Sequence, residues 1–306
     1  MHSAPTITPQ SWILIFVLGL TWGATFLVTE IALEGITPGW LAASRIGLGA
    51  VMTAVVWLIS GGHLFERAPN RADWGILLLV GAMSSAVPFL LLAWGQQHVT
   101  AGFAGVSMAS VALIVLPLAH FFVPGERLSL RKTIGFVIGF VGVVILIGGQ
   151  AFETTGASLE AAGRAACLGA ACCYAVSSIL MRRLPPVDPI GLSFLLLVIA
   201  VLIVVPAAWL TEGPPPMPDS RTLWVLAFLG LVPTAAANLM RVVVVRTAGP
   251  VFMSLVNYQV PIWSVLMGAA LLKEPLPPSL VGAMVLILAG VGLSQYGALR
   301  RLFGRQ

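Results

Sequence analysis

Ten apolar runs, each of about 20 residues and mostly separated by short polar connections, leave this chain one way to fold. Within roughly 30 Å of hydrocarbon there is no water to bond backbone N–H and C=O groups, so each run must satisfy them internally, as a helix. The runs fall at Trp12 to Ala32, Pro38 to Ser60, Trp74 to Gly95, Ala101 to Val123, Leu130 to Gly149, Ala161 to Met181, Pro189 to Leu210, Leu223 to Val245, Pro250 to Leu272 and Leu280 to Tyr296. Only 9% of residues are charged, against about 25% in a soluble domain. The expected fold is all-α: a polytopic membrane protein of ten transmembrane helices.

These runs are related to one another. The stretch 101–143 is echoed by 248–291: Ala101-Gly102 aligns with Ala248-Gly249 and Ser107 with Ser254. One inserted residue near Lys273 then brings Glu126 onto Glu274, Leu128 onto Leu276 and Gly142-Val143 onto Gly290-Val291. Self-similarity at nearly half the chain length implies two related halves, not a solenoid. With five helices per half, the second copy enters the membrane from the opposite face. Inverted repeats of this kind build many secondary transporters, whose substrate site lies near the midplane between them. The expected organisation is a first five-helix repeat over 11–149, a second, inverted one over 160–297, and a basic tail over 298–306.

The net charge of +5 does not point to nucleic acid, because the basic residues sit in short loops and form no stripe with interleaved aromatics. They report orientation instead. With the N-terminus cytoplasmic, that side holds Arg67, Arg71, Arg127, Arg131, Lys132, Arg182, Arg183, Arg246, Arg300, Arg301 and Arg305, and the other keeps Arg164, Arg221 and Lys273. Both termini are therefore expected in the cytoplasm of a multi-pass plasma membrane protein, in a bacterium the inner membrane. No cleaved signal peptide is expected, since no basic residue precedes the first run and no small-residue cleavage site follows it. Cys167, Cys172 and Cys173 share one apolar run without CxxC spacing and read as packing residues, with no metal and no cofactor implied. An enzyme would need a nucleophile with a base, a carboxylate pair or an HExxH, and the spans contain none.

Trp22-Gly23-Ala24-Thr25-Phe26, followed by Pro38, Leu41-Ala42-Ala43 and Arg45, resembles the opening of the EamA repeat of the drug/metabolite transporter superfamily. Glu126, Leu128, Gly135, Gly142 and Val143 match that repeat's closing pattern, and Glu274, Leu276, Gly282, Gly290 and Val291 match its second occurrence. The resemblance runs from about Ser11 to Tyr296. It implies helices one to four and six to nine around a central cavity, five and ten outside it, and export of amino acids or other small metabolites. The second half departs from the pattern, with Tyr174-Ala175 and an apolar run after Pro189 in place of Trp22-Gly23 and Arg45.

Polar and aromatic side chains inside the spans are costly unless they face the bundle interior, so they are the candidate substrate contacts. The densest group is Ser254, Asn257, Tyr258 and Gln259, where Pro261 frees the Asn257 carbonyl; hydrogen bonding between helices is the alternative role. Its counterpart in helix four is Ser107. Further candidates are Trp22 and Thr25 in helix one, Ser84 in helix three, Tyr174 and Ser178 in helix six, and Asn238 in helix eight. Arg45 is expected to pair with Glu30 or to use Thr29 and helix-one backbone oxygens, its rival role being a contact to a substrate carboxylate. Arg241 is expected to snorkel to the cytoplasmic surface, and Glu126 and Glu274 to sit at the positive ends of helices five and ten. With no Asp or Glu deep in a span, proton coupling has little support, and facilitated diffusion or exchange is as well supported.

The expected function is alternating-access export of amino acids, neutral or aromatic ones favoured, or of related small metabolites. Two alternatives are a transporter of phosphorylated or nucleotide-linked sugars and a non-transporting membrane accessory protein. The expected partners are a small-molecule substrate and the lipid bilayer. Gly135, Gly139 and Gly142 give helix five a small-residue face, so the chain is expected to be a monomer or a homodimer through helices five and ten.

Overall fold

The computed structural model describes residues 7–65, 69–123, 128–148 and 159–303. Among these, the chain is helical apart from its connections and an isolated bridge between Phe65 and Val187. In chain order the helices are α1 (Pro9–Leu33), α2 (Pro38–Ile59), α3 (Arg71–Gly81 and Val87–Gly95 about a π-helical turn at Ala82–Ala86), α4 (Ala101–Phe122) and α5 (Leu130–Gly148). The second five are α6 (Glu160–Met181), α7 (Pro189–Glu212), α8 (Ser220–Leu229 and Ala237–Thr247 about a π-helical turn at Gly230–Ala236), α9 (Pro250–Met253 and Val256–Leu271) and α10 (Pro278–Phe303). Eight are long and apolar enough to cross a bilayer; the other two are α5, 19 residues long, and the divided α9.

Local chemistry sets where they begin. Proline occupies the first position of α1, α2 and α7, where its missing N–H costs no helical bond. Asp188 accepts from the N–H groups of Ile190 and Gly191 at the start of α7, and Asp219 accepts from Thr222 N–H at the start of α8. On the outside, Val51, Val55 and Leu58 form an exposed stripe along α2 at helical spacing, a surface suited to lipid.

The packing has the two-fold pattern of an inverted duplication. Helices α2 and α7, α4 and α9, and α5 and α10 pair as counterparts, while α1 against α9 is mirrored by α6 against α4, and α1 against α8 by α6 against α3. The π-turns of α3 and α8 occupy corresponding places. Between α5 and α10 the backbones touch. A Cβ on Gly135 would lie 2.5 Å from the Gly290 carbonyl oxygen and 2.7 Å from the Ser294 nitrogen, and one on Gly142 would lie 3.0 Å from the Ala283 carbonyl. That small-residue face is used within the chain, so a homodimer through α5 and α10 would have to use their other surfaces.

Two glutamates tie the halves together, one of them in an unexpected place. Glu274 was expected to serve α10, which follows it; instead its carboxylate accepts from the N–H groups of Ala101 (2.7 Å) and Gly102 (3.0 Å), capping α4 of the other repeat. Glu212, at the end of α7, caps α2 in the same way, accepting from Thr37 Oγ1 (2.6 Å), Gly39 N–H (2.8 Å) and Trp40 N–H (3.2 Å). Carboxylates are favoured at helix N-termini by free N–H groups and the dipole. The dipole argument therefore found the right chemistry and the wrong helix. Lys273, beside the inserted position of the second copy, has a left-handed backbone (φ 58°). Glu126 lies outside the described residues.

Candidate functional site

Eight helices enclose a central cavity of about 520 Å³, and none of its lining residues comes from α5 or α10. That volume suits a small-molecule site. Trp22, Phe26 and Thr25 face it from α1, Arg45 from α2, Ser84, Phe89 and Gln96 from α3, Met108 from α4, Tyr174 and Ser178 from α6, Ser193 from α7, Asn238 and Arg241 from α8, and Asn257 with Pro261 from α9.

The ties between helices in its wall are few and specific. Trp22 Nε1–H donates to the Pro233 carbonyl (3.1 Å) inside the π-turn of α8. Gln96 Nε2–H donates to the Phe26 carbonyl (2.8 Å). Most hydroxyls bond within their own helix: Thr25 to the Thr21 carbonyl, Ser178 to that of Ala175, and Ser177 to that of Tyr174. Asn238 Nδ2–H likewise donates to the Thr234 carbonyl (2.6 Å). Ser84 Oγ is buried with no protein hydrogen-bond partner among the described residues.

The structure brings together Trp22, Thr25, Arg45, Ser84, Tyr174, Ser178, Asn238 and Asn257, and it disperses the rest. Tyr258 turns toward Gly292 of α10. Gln259 packs over Gly19 of α1, where a Cβ would lie 2.7 Å from its own, and donates to the Ile15 carbonyl (3.4 Å). Ser254 meets Gln295 of α10 (3.3 Å). Ser107 is fully buried, its hydroxyl on the Ala104 carbonyl (2.7 Å). The reason is angular: successive helical residues are about 100° apart, so Asn257, Tyr258 and Gln259 cannot share one face. The interruption of α9 also falls at Ser254 and Leu255, upstream of Pro261, which lies inside the following helical segment.

Arg45 and Glu30 do not meet. Glu30 lies beside Glu274 and the Ala101 N–H at the start of α4, whereas Arg45 Nε–H donates to Thr234 Oγ1 of α8 (2.8 Å). The expected pairing failed because similar depth on neighbouring helices says nothing of which way each side chain points. Arg241, expected to snorkel outward, lines the cavity instead. Its spacing held the signal: Thr234, Asn238 and Arg241 recur at i, i+4 and i+7, one face of a helix. Phe89 and Gln96, seven residues apart on one face of α3, were also missed; neither residue type is diagnostic alone.

A cavity between two inverted repeats, lined from both and shielded by neither α5 nor α10, defines a membrane transporter. Residues 10–148 and 162–295 match the EamA-like transporter family, and the chain belongs to it. A probable terminal-alkyne amino-acid exporter of Streptantibioticus cattleyicolor is 31% identical over 148 residues, 48% of this chain and 48% of that protein; the match therefore spans about half of that relative. The uncharacterized inner membrane transporter YedA of Escherichia coli K12 is 24% identical over 290 residues, covering 92% of this chain and 90% of that one. The uncharacterized transporter YoaV of Bacillus subtilis is 21% identical over 285 residues, covering 92% and 95%. A solved crystal structure shares the fold, with a TM-score of 0.66 at 20% identity over 95% of this chain and 99% of that one.

Proposed function

We propose that the protein exports amino acids or closely related small metabolites by alternating access of the central cavity, with neutral or aromatic side chains favoured. The observation that carries this reading is the cavity itself: its wall combines Trp22, Phe26, Phe89 and Tyr174 with scattered hydroxyls and amides contributed by both repeats. Aromatic faces hold a flat or apolar body, and single polar groups orient it. The half-length similarity to a probable amino-acid exporter supports the same class.

Proteoliposomes loaded with a broad panel of labelled amino acids test it. Efflux above protein-free liposomes for at least one neutral or aromatic member is expected, and no flux of any member would end the proposal. Direction depends on orientation, and the loop charges favour both termini in the cytoplasm. Ser129 and Ser220 are both exposed, before α5 and at the start of α8. Single cysteines there, in a chain without Cys167, Cys172 and Cys173, should react with an impermeant thiol reagent from opposite sides of intact membranes. Reaction from the same side would overturn the orientation.

A further inference from the structure

The cavity contains a cation that the protein itself leaves uncompensated. Arg45 is only 9% exposed, and an arginine within a membrane span is costly unless it is paired. A purely structural arginine would be expected to find a carboxylate or several carbonyls. Among the described residues this one finds neither. Nε–H is taken by Thr234 Oγ1, and the Phe89 ring lies 4.1 Å from Cζ. Among the described residues its two Nη groups have no hydrogen-bond partner, and the nearby Tyr174 is a neutral phenol.

Its orientation is fixed from the second repeat. Pro233 has no N–H to offer the Leu229 carbonyl four residues earlier. The Thr234 hydroxyl donates there instead (2.8 Å), so its oxygen presents a lone pair to Arg45 Nε–H. The π-turn thus builds a bracket for one edge of the guanidinium, while Phe89 occupies one face. What remains is the Nη edge, facing a cavity whose other charged lining residue among the described residues is Arg241, with no Asp or Glu among them.

Resting on the transport reading above, we propose that Arg45 is the carboxylate-binding residue of the cavity, and that the ligand class is an organic monocarboxylate with a neutral, apolar body, for which an α-ammonium group is dispensable. A planar guanidinium fork matches a carboxylate in a bidentate geometry. The surrounding positive field favours an anion and opposes a cation, and no lining carboxylate is present to repay desolvation of an ammonium.

Three probes on one skeleton test this on the purified full-length chain by the shift of its thermal midpoint: 3-phenylpropionate, phenylalanine and phenylalaninamide. A ligand that binds only folded protein raises the midpoint. The expected order of effectiveness is 3-phenylpropionate, then phenylalanine, with no shift from phenylalaninamide. Arg45→Gln should need about tenfold more 3-phenylpropionate for the same shift, the equivalent of one lost charge-assisted bond, and Arg45→Lys should fall between. Should Arg45→Gln not fold, Thr234→Val, which keeps the charge and removes its bracket, should weaken 3-phenylpropionate and leave phenylalaninamide inert. Equal shifts from amide and acid, an undiminished response in folded Arg45→Gln or in Thr234→Val, or no shift from any probe would each overturn the assignment. With 3-phenylpropionate and phenylalaninamide added to the liposome panel, flux of the amide equal to that of the acid would overturn Arg45 alone, whereas absence of all flux would overturn the transport reading.

Discussion

Between α5 and α10 the two repeats meet backbone to backbone, whereas around the cavity they meet through side chains and leave about 520 Å³ between them. At the first contact, Gly135, Gly142 and Gly290 carry no Cβ to hold the helices apart. At the second, polar groups are left without partners among the described residues: the Nη groups of Arg45 are left toward the space, and Ser84 Oγ is buried in its wall. Close packing leaves one arrangement and no capacity for a ligand. An incompletely satisfied wall costs stability and provides that capacity, which is why the two regions should respond oppositely to mutation.

The largest expected effect breaks the first region. Gly290→Leu would drive a branched side chain into the Gly135 carbonyl and the backbone of Gly139; overpacking against movable side chains already costs about 1 to 3 kcal/mol, and backbone cannot give way as they do. Folded, monodisperse protein should fall to a small fraction of wild type after extraction in detergent. A normal yield would mean that α5 and α10 separate readily.

Next in size is Glu274→Ala, which removes the carboxylate from the Ala101 and Gly102 N–H groups. About 1.5 to 3 kcal/mol of stability should be lost, on the scale of hydrogen bonds to charged groups. Glu274→Gln should lose less, because the amide oxygen can still accept and its neutrality relieves the neighbouring Glu30. Thermal midpoints of the two variants measure the difference; a Gln variant less stable than the Ala variant would show that the cap is not what Glu274 contributes.

Smaller again is Trp22→Phe, which keeps an aromatic face on the cavity and deletes the bond to the Pro233 carbonyl. A loss of about 1 kcal/mol is expected, together with a changed transport rate if the α1 to α8 tie moves during the cycle. An unaltered midpoint would place that bond among the dispensable ones.

Smallest is Ser84→Ala. Its hydroxyl has no partner among the described residues, so stability should stay within about 0.5 kcal/mol of wild type while the concentration dependence of solute flux shifts. Marked destabilisation with unchanged flux would remove the contrast between the two regions.

How much of this was legible beforehand depends on the kind of question. The spans, the duplication and the exclusion of helices five and ten from the cavity follow from apolar length, from the echo of 101–143 in 248–291 and from the family resemblance. Eight of the thirteen candidate side chains face the cavity, and those that do not fail for definite reasons. Tyr258 and Gln259 were grouped with Asn257 by adjacency along the chain, which on a helix separates side chains instead of uniting them. Glu30 and Arg45 were joined by depth without knowledge of rotation about the helix axis.

Hydrophobicity and its period determine which segments cross the membrane, because burying unpaired backbone in lipid is prohibitive and few structures avoid it. A duplicated pattern with an odd number of spans likewise determines the inverted symmetry. Tertiary structure decided everything that depends on how each helix is rotated and which partner it meets: that Glu274 caps α4 and not α10, that Arg241 looks inward, and that Thr234, freed by Pro233 to bond the Leu229 carbonyl, aims Arg45 at the cavity. A helix rotated by one residue changes its hydrophobicity little but turns its polar groups by about 100°. Packing against the other repeat, which no single segment encodes, selects among those rotations.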